Sequence, residues 1–344
     1  MGQDDGRMDR TIEGALRKYD IYMIEDADTF CRLAGEGALK YSRLIFAVEL
    51  DESGINMEAY RVLKYLNTCG NALRGCIGGV IVDGCGELYT KDLGRRLTFA
   101  ANMAGCSFPG KPLVEATGSL SNFKVLSEIW GISLEEAYEK SIGLLAEKVA
   151  DFQMPRAENP NILVIHASNR KTSNSLCLWE MVSKNLVGKA HVEEISIRNG
   201  QVVDCRGCKY EDCLHFGENS SCFYGGVMVE KVYPAIIKSD ILVLICPNYN
   251  DAVSANIMAL INRLTAVFRT NDFSRKKVYA LVISGYSGSD VVAQQIISAV
   301  NMNKNFILPA GFALMATANA PGEVAEIDGI EKEAEKLAQR MIEQ

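Results

Sequence analysis

Five short apolar runs in the C-terminal half, separated by stretches of helical periodicity, limit this chain more than any other feature. The runs are Ile162–Ile165, Val192–Ile197, Ile241–Cys246, Val278–Ile283 and Gly311–Ala316. Between them, Leu178, Val182 and Leu186 fall on one helix face, and Ile257, Leu260, Ile261 and Leu264 on another. Strands alternating with helical crossovers predict a doubly wound, five-stranded parallel sheet, whose ligands sit at the carboxyl ends of the strands.

The first half keeps this rhythm less fully. "RLIFAVEL" (43–50) and "GGVIVD" (78–83) read as strands. Thr90 stands seven residues after Asp83, as Ser254 stands seven after Pro247, and each precedes a helical pattern. "KPLVEATGS" (111–119) and "KVYALVISGYS" (277–287) both end in a small hydroxyl residue beside glycine. Ser133 and Glu136 form a capping box, after which Leu134, Tyr138, Ile142, Leu145 and Val149 make an apolar face. These matches suggest a duplication whose first copy lost a strand; two unrelated α/β domains would look similar. The tract 151–160, "DFQMPRAENP", reads as a linker between a domain at 1–150 and one at 161–344.

At 344 residues the chain is long enough for two cores. Its formal net charge of −7 argues against nucleic acid as a partner, because phosphate backbones call for a basic face. No apolar run reaches the roughly 20 residues of a membrane span. The opening "MGQDDGRMDR" has no signal-peptide core, and Gly6 stands where a myristoylation signal has Ser or Thr. A cytoplasmic protein with reduced thiols is expected, so its eleven cysteines are free, metal-bound or redox-active.

The first run changes chemistry abruptly at its end. "NILVIHASNRKTSNS" (161–175) passes from four apolar residues to hydroxyls, amides and two cations. A helix starting after Thr172 would aim its free N–H groups and positive dipole end at this loop. Ser168, Ser173, Asn174 and Ser175 add donors, and Arg170 adds a cation. Without GxxxxGK[ST] or GxGxxG, the loop suits one terminal phosphate better than a pyrophosphate; a merely polar, capped loop is the plainer alternative. The third run leads into "CPNYNDAVSANIMALINRL" (246–264), with Pro247, an aromatic face at Tyr249, polar edges at Asn248, Asn250 and Asp251, and a cap at Ser254. The fourth leads into "SGYSGS" (284–289), whose glycines admit a flat ligand close to the backbone. A planar ring with one phosphate tail, FMN, fits all three loops.

At these residues the chain resembles the NADPH-dependent FMN reductase family of flavodoxin-like proteins, over 161–316. "ASNRKTSNS" resembles the family's phosphate loop, "PNYNDAVSANIMALINR" its flavin loop and following helix, and "SGYSGS" its third loop. The resemblance implies that Ser168, Arg170, Ser173, Asn174 and Ser175 hold the phosphate. Pro247, Asn248, Tyr249 and Asn250 would flank the ring, with Ser284 and Gly285 under its edge. It further implies a homo-oligomer; the first half, by its own strand rhythm, reads as a smaller, degenerate flavodoxin-like domain in front. Asp251 departs from the family's longer run of small residues and would disfavour a second phosphorylated ligand such as NADPH. At the matching turn of the first half, "VELDESG" puts Glu49, Asp51 and Glu52 where a phosphate would be, so no FMN is expected there.

"DCRGCKYEDCLHFGENSSC" (204–222) groups Cys205, Cys208, Cys213 and Cys222 within eighteen residues. Three readings stay open. One is a [4Fe–4S] cluster, as in related iron–sulfur flavoproteins, although these space their first three thiols CxxCxxC. The second is a structural zinc site, with His215 able to replace one thiol. The third is thiols without metal. Cys31, Cys69, Cys76, Cys85, Cys106, Cys177 and Cys246 read as core, and so does His166. No catalytic side-chain constellation stands out, which agrees with flavin chemistry.

The resulting expectation is an FMN-dependent oxidoreductase that takes electrons from NAD(P)H. It would pass them to a quinone, another small oxidant or a protein acceptor. An iron–sulfur flavoprotein fed by ferredoxin, and a non-catalytic metal or thiol sensor, are the alternatives.

Overall fold

The computed structural model describes residues 6–168, 173–198 and 202–343. The chain divides into two compact units, 1–153 and 154–344.

In the first unit the elements run α1 (Arg7–Leu16), α2 (Ala27–Gly35), β1 (Arg43–Leu50), α3 (Met57–Thr68), β2 (Ile77–Gly84), α4 (Thr90–Met103), β3 (Leu113–Ala116), α5 (Lys124–Trp130) and α6 (Leu134–Asp151). The three strands form one parallel sheet in the order β1-β2-β3. Every residue of β2 is buried, as a central strand with both faces covered requires. Gly78 belongs there because a Cβ would stand 2.4 Å from the Phe108 ring. The Ser133–Glu136 capping box starts α6 as expected. Tyr138, Ile142, Leu145 and Val149 of that helix join Met8, Ile12 and Leu16 of α1 and Ile81 of β2 in one core, with Leu134 only partly buried at its margin.

The second unit runs β4 (Asn161–His166), α7 (Asn174–Ser183), β5 (His191–Ser196), α8 (Tyr210–Glu218), α9 (Tyr233–Lys238), β6 (Ile241–Pro247), α10 (Ala255–Arg263), α11 (Thr265–Phe268), β7 (Lys277–Ser284), α12 (Ser289–Ile296), β8 (Ala313–Thr317) and α13 (Ile330–Glu343). All five strands are parallel, in the order β5-β4-β6-β7-β8. Counted within the unit this is 2-1-3-4-5, the flavodoxin-like doubly wound order, whose crevice lies where the order reverses, beyond β4 and β6. The expected strands lie within a residue or two of the observed ones. Edge strand β5 exposes its first four residues, whereas β7 is buried throughout.

The duplication takes a different register from the one expected. Two strands separate the copies, not one, and the first unit matches β6-β7-β8. Parallel bridges join Ile77 to Ser107 and Lys277 to Ile307, positions 200 residues apart. Gly78 N donates to Ser107 O as Val278 N does to Ile307 O, and Val80 N to Pro112 O as Ala280 N does to Phe312 O. In each copy a buried asparagine closes the turn after the helix: Asn102 onto Cys106 O at 3.0 Å, Asn301 onto Phe306 O at 2.7 Å. The sequence pairing of Thr90 with Ser254 therefore matched the wrong helices; α4 answers to α12. Among the described residues no helix is long and apolar enough to cross a membrane.

Candidate functional site

The carboxyl ends of β4, β6, β7 and β8 carry four loops, and hydrogen bonds knit the described parts of them together. The first follows His166. Burial pulls the His166 imidazole below its usual range, with Arg198 acting the same way and Glu194 opposing. Ser168 ends the described part of this loop; Arg170 lies outside the described residues. Ser173 sits at the N-cap of α7, yet its side chain makes no cap bond and instead pairs with Ser175 Oγ at 2.9 Å. The opening N–H groups of α7 are left without that cap, the arrangement an anion can complete.

The second loop leaves β6 at Pro247. Asn248 N donates to Ile283 O at 2.7 Å, fastening it to the end of β7. The Asn248 side chain has a larger role than the sequence suggested. Its Nδ2 donates to Ser284 Oγ at 2.8 Å, Ser287 O at 2.9 Å and Asp251 Oδ1 at 3.1 Å. Its Oδ1 is buried without a donor among the described residues. Such an orphaned acceptor costs about 1–3 kcal/mol, and an N–H or O–H of a bound ligand would remove that cost. Tyr249 and Ala252 bond each other's backbone across a tight turn, with Asn250 and Asp251 left-handed at φ 54 and 56. Ser254 accepts from Ile257 N and caps α10, as expected.

Ser284, fully buried, ends β7 and starts the third loop. Tyr286 is 82% exposed there and Tyr249 59% exposed in the second loop, so both present rings to whatever lies above the sheet. Gly288 closes the loop at φ +84, a conformation that L residues rarely adopt, and a Cβ there would strike the Asp251 carboxylate.

The fourth loop, 318–324, was missed by the sequence reading, which ended at 316. Glu323 accepts from Asn319 N at 2.6 Å and Ala320 N at 2.7 Å; these two donors, Ala320 foremost, hold its carboxyl below the usual range. The signal was present as "TANAPGE" (317–323), a turn-rich tract with a carboxylate placed to cap it. Asn174, expected on a phosphate, spends its side chain on this loop: Nδ2 donates to Ala318 O and Ala320 O, and Oδ1 accepts from Val324 N.

The cysteine segment is held by several contacts with the rest of the second unit. Cys205 and Cys208 are exposed, while Cys213 lies within α8. Among the described residues no three His, Cys, Asp or Glu side chains gather as an ion would need. The segment is fastened instead by protein contacts. Arg263 Nη2 donates to Gly225 O at 2.9 Å and Thr270 Oγ1 to Gly217 O at 2.8 Å, while Arg269 lies 4.3 Å over the Tyr210 ring. Of the cysteines expected in the core, Cys76, Cys106 and Cys246 are buried, but Cys85 is exposed, with its thiol donating to Leu50 O.

In the first unit the carboxyl end of β2 carries a buried ion pair. Asp83, 2% exposed, is ion-paired with Arg7. The same guanidinium donates to Gly118 O at 3.1 Å and Thr117 O at 3.2 Å.

The second unit thus has a flavodoxin-like sheet with these loops at its carboxyl edge. Residues 160–320 match the family model for NADPH-dependent FMN reductase. Among solved structures, the NAD(P)H:quinone oxidoreductase from Methanothermobacter marburgensis is 16% identical, with a TM-score of 0.40, covering 54% of this chain and 96% of its own. An FMN-dependent NADH-azoreductase from Bacillus anthracis in complex with FMN is 13% identical, with a TM-score of 0.38, covering 53% and 99%. RosB, with a bound formylated riboflavin phosphate, is 15% identical, with a TM-score of 0.40, covering 53% and 75%. No curated protein matches the chain.

Proposed function

We propose that the second unit binds FMN across its four loops and moves electrons from NAD(P)H to a small acceptor such as a quinone. The observation that carries this reading is Asn248: its Nδ2 lies within hydrogen-bond distance of three acceptors, Asp251 Oδ1, Ser284 Oγ and Ser287 O, while its Oδ1 has no donor among the described residues. Bound FMN supplies the redox chemistry, accepting electrons from the nicotinamide and releasing them to the acceptor.

The chain's own residues bind and orient. The N-terminus of α7, with Ser168, Ser173 and Ser175, receives the phosphate, and Arg170 adds a cation. Pro247, Asn248 and Asn250 border the ring, and Ser284 and Gly285 lie along its edge. Tyr249 and Tyr286 give aromatic faces to the ring or to the second substrate. Their exposure also suits a homo-oligomer in which a neighbouring subunit covers the site.

The test is turnover. Protein loaded with FMN is mixed with NADH or NADPH and a benzoquinone under argon, and nicotinamide oxidation is followed at its absorption maximum. Oxidation that depends on both FMN and quinone is expected. A loaded protein that leaves both nicotinamides unoxidised contradicts the reading.

A further inference from the structure

We propose that Asn174 is a positioning residue that clasps the start of α7 to the 318–324 loop, and through that loop sets Tyr286, instead of holding phosphate. The inference rests on the FMN reading and revises one of its residues. The side-chain amide of Asn174 is committed at both ends. Its Nδ2 donates to Ala318 O at 3.2 Å and Ala320 O at 2.8 Å, and its Oδ1 accepts from Val324 N at 3.3 Å. A phosphate would need that same Nδ2, so binding it there would break the clasp.

The clasped loop then reaches the ring side of the crevice. Ala318 N donates to Ser284 O at 2.9 Å, keeping the loop against the end of β7. Glu323 gathers the N–H groups of Asn319 and Ala320. So held, Asn319 donates through Nδ2 to the Tyr286 hydroxyl at 3.1 Å, and its Oδ1 lies 3.2 Å from where a Cβ on Gly285 would stand. Tyr286 is otherwise highly exposed, so this bond chooses its direction.

The first unit supports the clasp independently. There α1 packs on α6 as α7 packs on α13. Arg7, the first residue of α1, donates to the carbonyls of Thr117 and Gly118 just after β3, while Asn174, the first residue of α7, donates to Ala318 O just after β8. In both units the turn's next N–H goes back to the preceding loop or strand end, Gly118 N to Gly86 O and Ala318 N to Ser284 O. A guanidinium in one copy and an amide in the other make the same connection. The joint between opening helix and last turn is what the copies share, and the first makes it beside a buried carboxylate, where a phosphate would be repelled.

The two roles separate on ligand choice. Apoprotein carrying Asn174→Ala is titrated with FMN and with riboflavin, which lacks the phosphate. A clasp predicts that both bind about tenfold more weakly, the worth of one or two hydrogen bonds, with their affinity ratio kept. It also predicts an altered visible circular dichroism of the bound flavin, reproduced by Asn319→Ala. A phosphate ligand predicts that FMN alone weakens and that the spectrum stays put, which overturns the proposal. Hydrogen exchange on the ligand-free protein adds a readout that needs no FMN. The amides of Asn319, Ala320 and Val324 should exchange faster in Asn174→Ala, and unchanged exchange also sinks the clasp. Failure of the wild type to take up FMN would sink the function and leave exchange to decide the clasp.

Discussion

At the residue scale, the proposed function makes Asp251 the residue to test for the choice of nicotinamide. It is exposed, left-handed, and its carboxylate both accepts from Asn248 Nδ2 and crowds Gly288. A negative charge at the mouth of the crevice opposes the 2′-phosphate that distinguishes NADPH from NADH. Removing it by Asp251→Asn should raise kcat/KM for NADPH over that for NADH by about fivefold, the worth of one screened charge interaction near 1 kcal/mol. An unchanged ratio would show that the adenosine end lies elsewhere. Residue chemistry was partly legible in advance. The hydroxyls after Ile165 and the tyrosine two residues after Pro247 picked out loops at the carboxyl edge of the sheet. Spacing could not show that Asn174 turns away to a loop 144 residues on, because that contact exists only once β4 and β8 share a sheet.

At the element scale, the central strands impose their own pH dependence. Lys277 begins β7 inside the sheet, and burial pulls its ammonium down to about 8, with Asp240 opposing the shift. The unfolded chain keeps that proton up to the ordinary value of 10.5. Between those pH values the unfolded state binds more protons than the folded one, so stability rises with pH across this window. Lys277→Met removes the effect. Its melting temperature should exceed that of the wild type most clearly below pH 8, and the gap should narrow towards pH 10. A gap independent of pH would mean that the ammonium is not desolvated. The cysteine segment makes a contrasting case. It is held by Arg263, Thr270 and Arg269 through contacts that do not involve its exposed thiols. Changing Cys205 and Cys208 together to serine should alter stability by no more than about 0.5 kcal/mol. A collapse of stability, reproduced by a chelator, would instead point to a bound ion. The strands themselves were readable because buried parallel strands are continuous apolar runs. The fourth loop was not, since its meaning depends on Glu323 folding back onto Asn319 and Ala320.

At the scale of the whole molecule, the two units share the β6-β7-β8 arrangement of bridges and backbone bonds, which suits a duplication at different lengths. The full copy keeps β4 and β5, and with them the loop after Ile165 and the groove beyond β4 and β6. The shorter copy lacks both strands, and Arg7 with Asp83 occupies its carboxyl edge. This relation was only half visible in the sequence. Pro109, Ala116 and Thr117 recur at Pro309, Ala316 and Thr317, but matching by turn residues aligned Thr90 with Ser254 and shifted the copies by one strand. Register in a sheet is set by hydrogen bonds between distant segments, which a residue pattern does not display. The division of labour has a direct consequence: flavin binding should follow the second unit alone. Apoprotein titrated with FMN, with fluorescence quenching as the readout, should saturate at about one FMN per chain, with riboflavin bound at least about tenfold more weakly for want of the phosphate contact at α7. No saturable uptake, or equal affinity for the two flavins, would contradict a phosphate seat at the start of that helix.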